Sequence, residues 1–331
     1  MEYRRLGKSG LKLPVVCYGA WAIGGWMWGG TDDEAAVRAI RKAIDLGITC
    51  IDTAPIYGMG HSERIVGKAI KGRRDEVTIA TKCGVRWDVV KGHHVFDSKM
   101  NDGTPVQIRR FLGAESIKKE CEESLERLGI EVIDLYQCHQ PDPTTPVEES
   151  WDAMLELQKE GKVRAIGVSN FTVEMMEKCL SRGPVTSDQP LYNPLERDIE
   201  KDILPFCIEN DIGVLAYSPM TQGLMTGKVT MEREFPEDDV RNYKPWFKPE
   251  NRKRVLEMLK KIQPIADGHK ATLAQVTINW VISQKGLTAA LVGARNEKQV
   301  EENARAADFS LTEDELATIR SAVEELGGPI T

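Results

Sequence analysis

Eight short apolar runs alternate with amphipathic segments along most of the chain. Within the segments, apolar residues recur at the three- and four-residue spacing that is typical of helices. Strands that alternate with helices form parallel sheets, and eight such repeats over about 300 residues predict a closed (β/α)8 TIM barrel of the α/β class. No glycine-rich dinucleotide fingerprint follows the first run, which disfavours an open doubly wound sheet. The runs occupy residues 15–19, 48–52, 77–82, 132–139, 163–170, 185–189, 212–219 and 287–294.

The segments outside this alternation predict a hairpin and two long loops. Residues 3–16 form two short runs around a KSG turn and predict an N-terminal β-hairpin. Residues 84–113 and 220–249 match neither pattern; both follow predicted strands, so we expect them at the carboxyl face, where barrel enzymes keep their active sites. Thr31 is the predicted N-cap of the first helix. No linker divides the chain, so we expect a single domain over residues 1–331.

Composition disfavours several classes of partner. With 331 residues and 41% hydrophobic content, the chain can bury a large core. Its net charge of −7 disfavours nucleic-acid binding, and no apolar stretch approaches the roughly 20 residues that cross a membrane. The first residues lack the apolar region of a signal peptide. The seven cysteines contain no CxxC pair, so we expect buried thiols, no metal site and a cytoplasmic location.

Polar side chains end three of the apolar runs. Asp52 ends ITCID, Lys82 ends VTIATK, His139 ends VIDLYQCH, and Tyr57 follows Asp52 in the loop TAPIYG. Because the carboxyl ends of parallel strands meet at one edge of a sheet, we expect the four side chains to converge. Each one alone could be structural, as a turn cap, a strand-end lysine or a buried histidine. Together they can transfer protons without a metal, and a nearby Lys82 ammonium would favour the Tyr57 phenolate.

Five short motifs occur in order along the chain: DTAPIYG at 52–58, TKCG at 81–84, DLYQCHQPD at 134–142, GVSNF at 167–171 and AYSP at 216–219. Together they resemble the motifs of the aldo-keto reductases, and the resemblance covers nearly the whole chain. It implies a (β/α)8 barrel that binds NADPH in an extended form, with no metal. It also implies a catalytic tetrad of Asp52, Tyr57, Lys82 and His139. In that tetrad Tyr57 protonates the substrate carbonyl oxygen and His139 orients the carbonyl.

The resemblance also implies which residues hold the cofactor. Ser169, Asn170 and Gln189 match groups that bind the nicotinamide carboxamide, and Tyr217 matches the aromatic side chain that stacks on the nicotinamide ring. Residues near Gly223 match the segment that wraps the pyrophosphate, where glycine lets backbone N–H groups approach phosphate closely. The complete set of predicted cofactor contacts is Gly19, Ala20, Trp21, Asp52, Ser169, Asn170, Gln189, Tyr217, Ser218, Pro219, Gly223, Leu224, Gly293, Arg295, Gln299, Glu302 and Asn303.

The end of the chain departs from the commonest pattern of this family. Many members have a lysine and an arginine where this chain has Gly293 and Gln299. Arg295 is a nearby cation, and it precedes a helix whose N-terminus also favours an anion. We expect Arg295 and Gln299 to contact the 2′-phosphate of NADPH, and Glu302 and Asn303 to contact adenine. This variant is similar to bacterial general-stress-type reductases and to the β-subunits of voltage-gated potassium channels.

Tryptophans cluster after the first barrel strand and predict an aromatic wall beside the substrate. Trp21, Trp26 and Trp28 lie in the segment AWAIGGWMWGG, and Trp87 could join them from the next long loop. Core packing beneath a loop is the alternative explanation for these rings. The predicted substrate contacts are Trp21, Tyr57, Trp87 and His139.

The predicted function is an NADPH-dependent oxidoreductase that reduces aldehydes and ketones to alcohols. One alternative is a cofactor-binding regulatory subunit of a larger assembly, as the channel β-subunits are. Another is a polyol or sugar dehydrogenase that uses the same chemistry in the oxidative direction. The sequence predicts a small-molecule carbonyl substrate and leaves its identity and the oligomeric state open.

Overall fold

Eight parallel strands close into a barrel in the computed structural model, which describes all of residues 1–331. The strands follow one another around the barrel in chain order. Each predicted apolar run supplies one strand, so the (β/α)8 barrel is confirmed. The barrel strands are β3 (Val16–Gly19), β4 (Cys50–Asp52), β5 (Thr78–Cys83), β9 (Ile133–Cys138), β10 (Val163–Ser169), β11 (Ser187–Gln189), β12 (Gly213–Tyr217) and β13 (Leu287–Gly293).

An N-terminal hairpin closes one end of the barrel, as the sequence predicted. Its strands, β1 (Tyr3–Arg5) and β2 (Lys12–Pro14), pair in the antiparallel direction. Leu6 and Leu13 are fully buried and pack against small and aliphatic side chains of the barrel interior, Leu135 among them. This apolar plug leaves the carboxyl ends of the strands as the end where polar side chains can gather.

Ten α-helices surround the barrel and bury their apolar faces in one large core. The prediction of Thr31 as the first N-cap is wrong by one residue: the Asp32 carboxylate accepts the Ala35 N–H, because aspartate caps as well as threonine does and stands at the required spacing. The last helix, which was not predicted, begins at a capping box between Thr312 and Glu315. The helices are α1 (Asp33–Asp45), α2 (His61–Ile70), α3 (Ala114–Leu128), α4 (Val147–Lys159), α5 (Val173–Arg182), α6 (Ile203–Asn210), α7 (Pro249–Gly268), α8 (Leu273–Ile282), α9 (Glu297–Ala304) and α10 (Glu313–Leu326). None of them combines the length and the apolar character that crossing a membrane requires.

The segment 84–113 is a three-stranded antiparallel sheet rather than the irregular loop that the sequence predicted. Strands β7 (His93–Lys99) and β8 (Pro105–Arg110) form a hairpin, and β6 (Val85–Arg86) pairs with the other edge of β8. Most side chains of β7 are polar and exposed, so hydrophobic alternation gave no signal. The Asp102–Gly103 dipeptide in the connecting turn is a hairpin signal that could have revealed it.

The segment 220–249 is irregular, as predicted, and contacts the loop that follows β3. The Val240 N–H donates to Met27 O over 3.0 Å. The two loops therefore meet across the carboxyl face of the barrel. Within the segment the backbone forms short 3-10 turns at Thr221–Thr226, Val240–Tyr243 and Pro245–Phe247.

Candidate active site

A buried ion pair lies at the carboxyl ends of two neighbouring barrel strands. Asp52 is the last residue of β4, and Lys82 on β5 places its ammonium 2.7 Å from Asp52 Oδ2. Lys82 Nζ also donates to Thr53 O over 2.9 Å, and Gln189 Nε2 donates to Asp52 Oδ1 over 2.8 Å. Both oxygens of the carboxylate are thus bonded, and both charged groups are excluded from solvent. A buried pair held this way keeps the ammonium in one position.

Two glycines bring Tyr57 to this ion pair. The Tyr57 hydroxyl lies 3.3 Å from Lys82 Nζ. The Tyr57 loop packs against the loop after β3 so closely that a Cβ on Gly24 would lie 2.6 Å from Tyr57 O, and a Cβ on Gly58 would lie 2.1 Å from Gly24 O. Gly58 also has a φ of +69°, which L side chains rarely adopt. This backbone approach fixes the Tyr57 ring beside Lys82.

Burial outweighs the Lys82 charge in setting the protonation of Tyr57. Loss of hydration raises the pKa of the Tyr57 phenol, the Lys82 ammonium opposes the rise, and the resulting pKa lies above the usual 10.0. The expectation that Lys82 favours the phenolate has the right sign, but desolvation is the larger effect. At Lys82, burial lowers the pKa, but Asp52 and Tyr57 raise it by more, and the resulting pKa is raised. Tyr57 is therefore a phenol, and Lys82 an ammonium, at neutral pH.

His139 joins the cluster as a neutral imidazole. Its backbone N–H donates to Cys83 O over 2.9 Å, and its ring meets the Tyr57 ring edge-on at 5.7 Å between centroids. Burial, together with the charges of Lys82 and Arg110, lowers the pKa of His139 well below its usual value. A neutral imidazole retains one N–H that can donate to a ligand oxygen. The structure thus brings all four predicted catalytic residues together.

A cavity of about 700 Å³ opens beside these four side chains. Three of them line it, and Lys82 lies behind Tyr57 without lining it. Among the predicted cofactor contacts, Ala20 and Leu224 do not line the cavity, because both are fully buried in the core. The other predicted contacts do line it: Gly19, Trp21, Asp52, Ser169, Asn170, Gln189, Tyr217, Ser218, Pro219, Gly223, Gly293, Arg295, Gln299, Glu302 and Asn303.

A chain of hydrogen bonds links the predicted carboxamide-binding residues. Tyr217 donates its hydroxyl proton to Asn170 Oδ1 over 2.9 Å, and Asn170 Nδ2 donates to Ser169 Oγ over 2.9 Å. Ser169 Oγ donates to Gln189 O over 2.7 Å, and the Gln189 side chain donates to Asp52. Asn170 has a φ of +60°, a left-handed conformation that asparagine tolerates better than most residues. This chain fixes amide groups at the cavity wall and connects them to the ion pair.

Cationic side chains gather on the side of the cavity that α9 and the segment 220–249 form. Arg295 Nη2 donates to Trp28 O over 2.7 Å, and the Arg295 N–H donates to Gln299 Oε1 over 2.7 Å. The Trp28 ring lies 5.0 Å from the Arg241 guanidinium and 5.5 Å from that of Arg295. The sequence predicted Arg295 and Gln299 in this wall but did not reveal its further cations. Those cations lie in an irregular segment, which has no periodicity to show which side chains face the cavity. They are Lys228, Arg233, Arg241 and Lys244.

The two predicted adenine contacts, Glu302 and Asn303, bind other residues of the protein. Glu302 forms an ion pair with Lys228 at 2.7 Å, and Asn303 Nδ2 donates to Gly293 O over 3.1 Å. Since Glu302 is neutralised by Lys228, this wall of the cavity has a net positive charge.

Apolar side chains form the wall on the Tyr57 side. Trp21 stacks near Tyr57 with 6.0 Å between ring centroids, and Trp26 stacks on Phe96 at 6.3 Å. Trp87, a predicted substrate contact, does not line the cavity, because its half-buried ring packs into a neighbouring apolar cluster. The three-stranded sheet supplies wall residues that the sequence analysis missed. Besides Phe96, they are Val85, Val95, Ile108 and Arg110.

The groups around the cavity fit a nicotinamide dinucleotide. Fixed amides beside the Tyr217 ring suit a planar ring that carries a carboxamide. Gly223 has a φ of +94°, and no atom lies within 4 Å of the position its Cβ would take, so its backbone is open to a phosphate. The cationic wall suits a ligand with several phosphate charges.

Comparison with known proteins places these features in a family. The model of the Aldo/keto reductase family matches residues 15–324. Aldo-keto reductase YhdN of Bacillus subtilis is 39% identical over 98% of this chain and 94% of its own length, and the NADH-specific methylglyoxal reductase of Escherichia coli is 37% identical over 97% and 98%.

Two solved structures of related proteins also superpose on the whole barrel. A glycerol dehydrogenase from Gluconobacter oxydans is 38% identical with a TM-score of 0.87, covering 99% of this chain and 97% of its own. An aldo/keto reductase from Klebsiella pneumoniae in complex with NADP and acetate is 28% identical with a TM-score of 0.72, covering 97% and 95%.

Proposed function

The chain belongs to the aldo/keto reductase family of oxidoreductases, and on this basis we propose that it is an NADPH-dependent carbonyl reductase. In this proposal its substrates are aldehydes and ketones, which it reduces to alcohols. The observation that carries the proposal is the position of the Tyr57 hydroxyl. It lies 3.3 Å from Lys82 Nζ, at the wall of a cavity that a neutral His139 also lines.

Tyr57 is the proton donor in the proposed mechanism. A reduced nicotinamide held in this cavity would supply the hydride that the carbonyl carbon accepts, and Tyr57 would give its proton to the carbonyl oxygen. Lys82 stabilises the phenolate that remains, and Asp52 keeps Lys82 charged and in place. His139 donates a hydrogen bond to the same carbonyl oxygen and so orients the substrate toward Tyr57.

Two groups of cavity residues would hold different parts of the cofactor. Ser169, Asn170 and Gln189 would hold the nicotinamide carboxamide, and Tyr217 would lie against the ring. The open backbone at Gly223 and the cationic wall would hold the phosphates. The other residues assigned to the pyrophosphate and adenosine are Ser218, Pro219, Gly293, Arg295, Gln299, Glu302 and Asn303.

Arg295→Ala should weaken NADPH binding about tenfold or more and leave NADH binding nearly unchanged, because only NADPH has the 2′-phosphate. The preference needs a direct test, since one similar structure contains NADP and one relative is named NADH-specific. Titrations of both cofactors, followed by protein fluorescence, measure it. Lys298→Ala changes an exposed cation in α9, the helix that follows Arg295, and serves as the control. Equal losses for the two cofactors would show that Arg295 does not contact the 2′-phosphate.

Polyol oxidation is a second candidate function, because one similar structure is a glycerol dehydrogenase. The two directions should show opposite pH dependences. Reduction needs the Tyr57 phenol, whose pKa burial raises above 10.0, so kcat for reduction should stay level through neutral pH and fall only in strongly alkaline solution. Oxidation needs the phenolate and should accelerate over the same alkaline range. Profiles of kcat against pH in both directions test this; a reduction rate that falls near neutral pH would indicate another proton donor.

Cofactor oxidation in the presence of a panel of aldehydes and ketones tests the proposal directly. Turnover that prefers NADPH over NADH supports the reductase. Tight NADPH binding without turnover of any carbonyl, or of glycerol with NADP⁺, would favour a cofactor-binding regulatory subunit. Faster oxidation of glycerol than reduction of any carbonyl would favour the dehydrogenase.

A further inference from the structure

Arg110 is a cation of the active-site cavity that no other residue neutralises. It ends β8, the middle strand of its sheet, and its backbone pairs with Val85 on one side and His93 on the other. Ile108 and Arg110 are two residues apart, so they share a face of the strand, and both line the cavity. The half-buried Arg110 side chain makes no hydrogen bond and no ion pair within the chain. The backbone of Arg110 is therefore fixed by strands on both sides, and its guanidinium is free to bind a ligand.

The other charges of the cavity leave Arg110 without a counter-ion. The acidic residues that line the cavity are Asp52 and Glu302, and each is paired with a lysine at 2.7 Å. Arg110 also lies close enough to His139 for its charge to help lower the pKa of that imidazole. An unpaired guanidinium thus lies near the residue that we propose orients the substrate carbonyl.

We propose that Arg110 binds a carboxylate of the substrate, so that the enzyme prefers aldehydes that carry a carboxylate a short distance from the carbonyl. This inference rests on the proposed reductase function and adds a substrate class to it. The planar guanidinium offers paired N–H donors that match the two oxygens of a carboxylate. Val85, Val95, Phe96 and Ile108 surround this part of the cavity with apolar surface. Such a wall suits the hydrocarbon that separates the two polar ends of the substrate.

The same apolar wall makes the substrate preference depend on Arg110. Without Arg110 it would favour neutral substrates, because burying an unpaired carboxylate is strongly unfavourable. With Arg110, attraction between the two charges in a partly desolvated cavity is stronger than in open water. The two alternatives therefore predict opposite preferences for charged and neutral versions of one aldehyde.

The test compares 4-carboxybenzaldehyde with its methyl ester, which keeps the ring and the aldehyde but removes the charge. Values of kcat/KM with NADPH are measured for the full-length wild type, Arg110→Ala, Arg110→Lys and Arg109→Ala. The wild type should prefer the acid. Arg110→Ala should lower the acid-to-ester ratio about tenfold or more, mainly through KM, and Arg110→Lys should restore part of it. Circular dichroism and thermal unfolding show that each variant is folded, and the acid-to-ester ratio within one variant cancels any general change in its rate.

Arg109→Ala is the matched control. Arg109 precedes Arg110 on the same strand, but its guanidinium donates to Gly92 O and Gln107 Oε1 and does not line the cavity. Its removal should leave the acid-to-ester ratio unchanged. If the wild type reduces both compounds equally well, or if Arg110→Ala keeps the ratio, the carboxylate site is wrong while the reductase function stands.

Binding distinguishes failure of this inference from failure of the proposed function. If no carbonyl compound is turned over, the reductase proposal fails, and calorimetric titration of benzoate into the NADPH-loaded protein decides the role of Arg110. Affinity that falls in Arg110→Ala but not in Arg109→Ala supports the anion site. Equal affinity in all variants, or no binding to the wild type, overturns it.

Discussion

Tyr57→Phe is expected to lower kcat for carbonyl reduction by about 100-fold or more, because general acid catalysis by a positioned side chain contributes at least that much. The substitution removes one oxygen and leaves the ring, which packs between Trp21 and His139. The affinity for NADPH should therefore change little. Single-turnover kinetics and a fluorescence titration of NADPH measure the two quantities separately.

A surface tyrosine provides the control for this experiment. Tyr3 lies in the N-terminal hairpin, at the end of the barrel opposite the active site. It is half exposed and donates its hydroxyl proton to Gly47 O. Tyr3→Phe should leave kcat unchanged. If Tyr57→Phe retains more than about a tenth of the wild-type kcat, a barrier change of less than about 1.4 kcal/mol, then Tyr57 is not the proton donor.

The gathering of the four polar residues could be predicted because strand ends are easy to locate in this sequence. Asp52, Lys82 and His139 each follow an apolar run, and parallel strands in a barrel all end at the same face. Tyr57 is only five residues beyond Asp52, so it cannot lie far from that face. The hydrophobic periodicity and the order of the strands along the chain were thus enough to predict the fold and the four central residues of the site.

The walls of the cavity could not be predicted from the same signals. Phe96 and Arg110 reach the cavity on a hairpin whose side chains are mostly polar, and Arg241 reaches it on a segment without regular structure. Neither segment has a hydrophobic period that would show which residues face inward. The direction of the pKa shift at Tyr57 could not be predicted either, because it depends on whether desolvation or the Lys82 charge has the larger effect. That balance is a property of the folded chain.

The hydrogen bonds around Asp52 connect the proposed proton donor to the residues that we propose hold the nicotinamide. Asp52 Oδ2 holds Lys82, which lies beside Tyr57, and Asp52 Oδ1 accepts from Gln189. Gln189 in turn begins the chain of hydrogen bonds that ends at Tyr217. A change at Asp52 should therefore disturb both proton transfer and cofactor binding, whereas a change at Tyr57 should disturb only the first.

Lys82→Met should destabilise the cofactor-free protein by about 3–5 kcal/mol, since removing one partner of a buried pair leaves the other charge uncompensated. Methionine is unbranched and only one atom shorter than lysine, so it leaves no large cavity. The Asp52 carboxylate would then retain the Gln189 amide as its side-chain donor, in a site where it is 4% exposed. Urea unfolding followed by circular dichroism gives the free energy of unfolding for the variant and the wild type.

The double variant Asp52→Asn/Lys82→Met separates loss of the charge pair from loss of packing. Replacing the carboxylate by a neutral amide removes the uncompensated charge, so the double variant should regain most of the stability that Lys82→Met loses. Neither variant should reduce carbonyls at a useful rate, because the Tyr57 phenolate would lack its neighbouring ammonium. A loss below about 1 kcal/mol in Lys82→Met would contradict the expected cost of leaving Asp52 without its partner. In that case the ion pair contributes to catalysis rather than to the stability of the barrel.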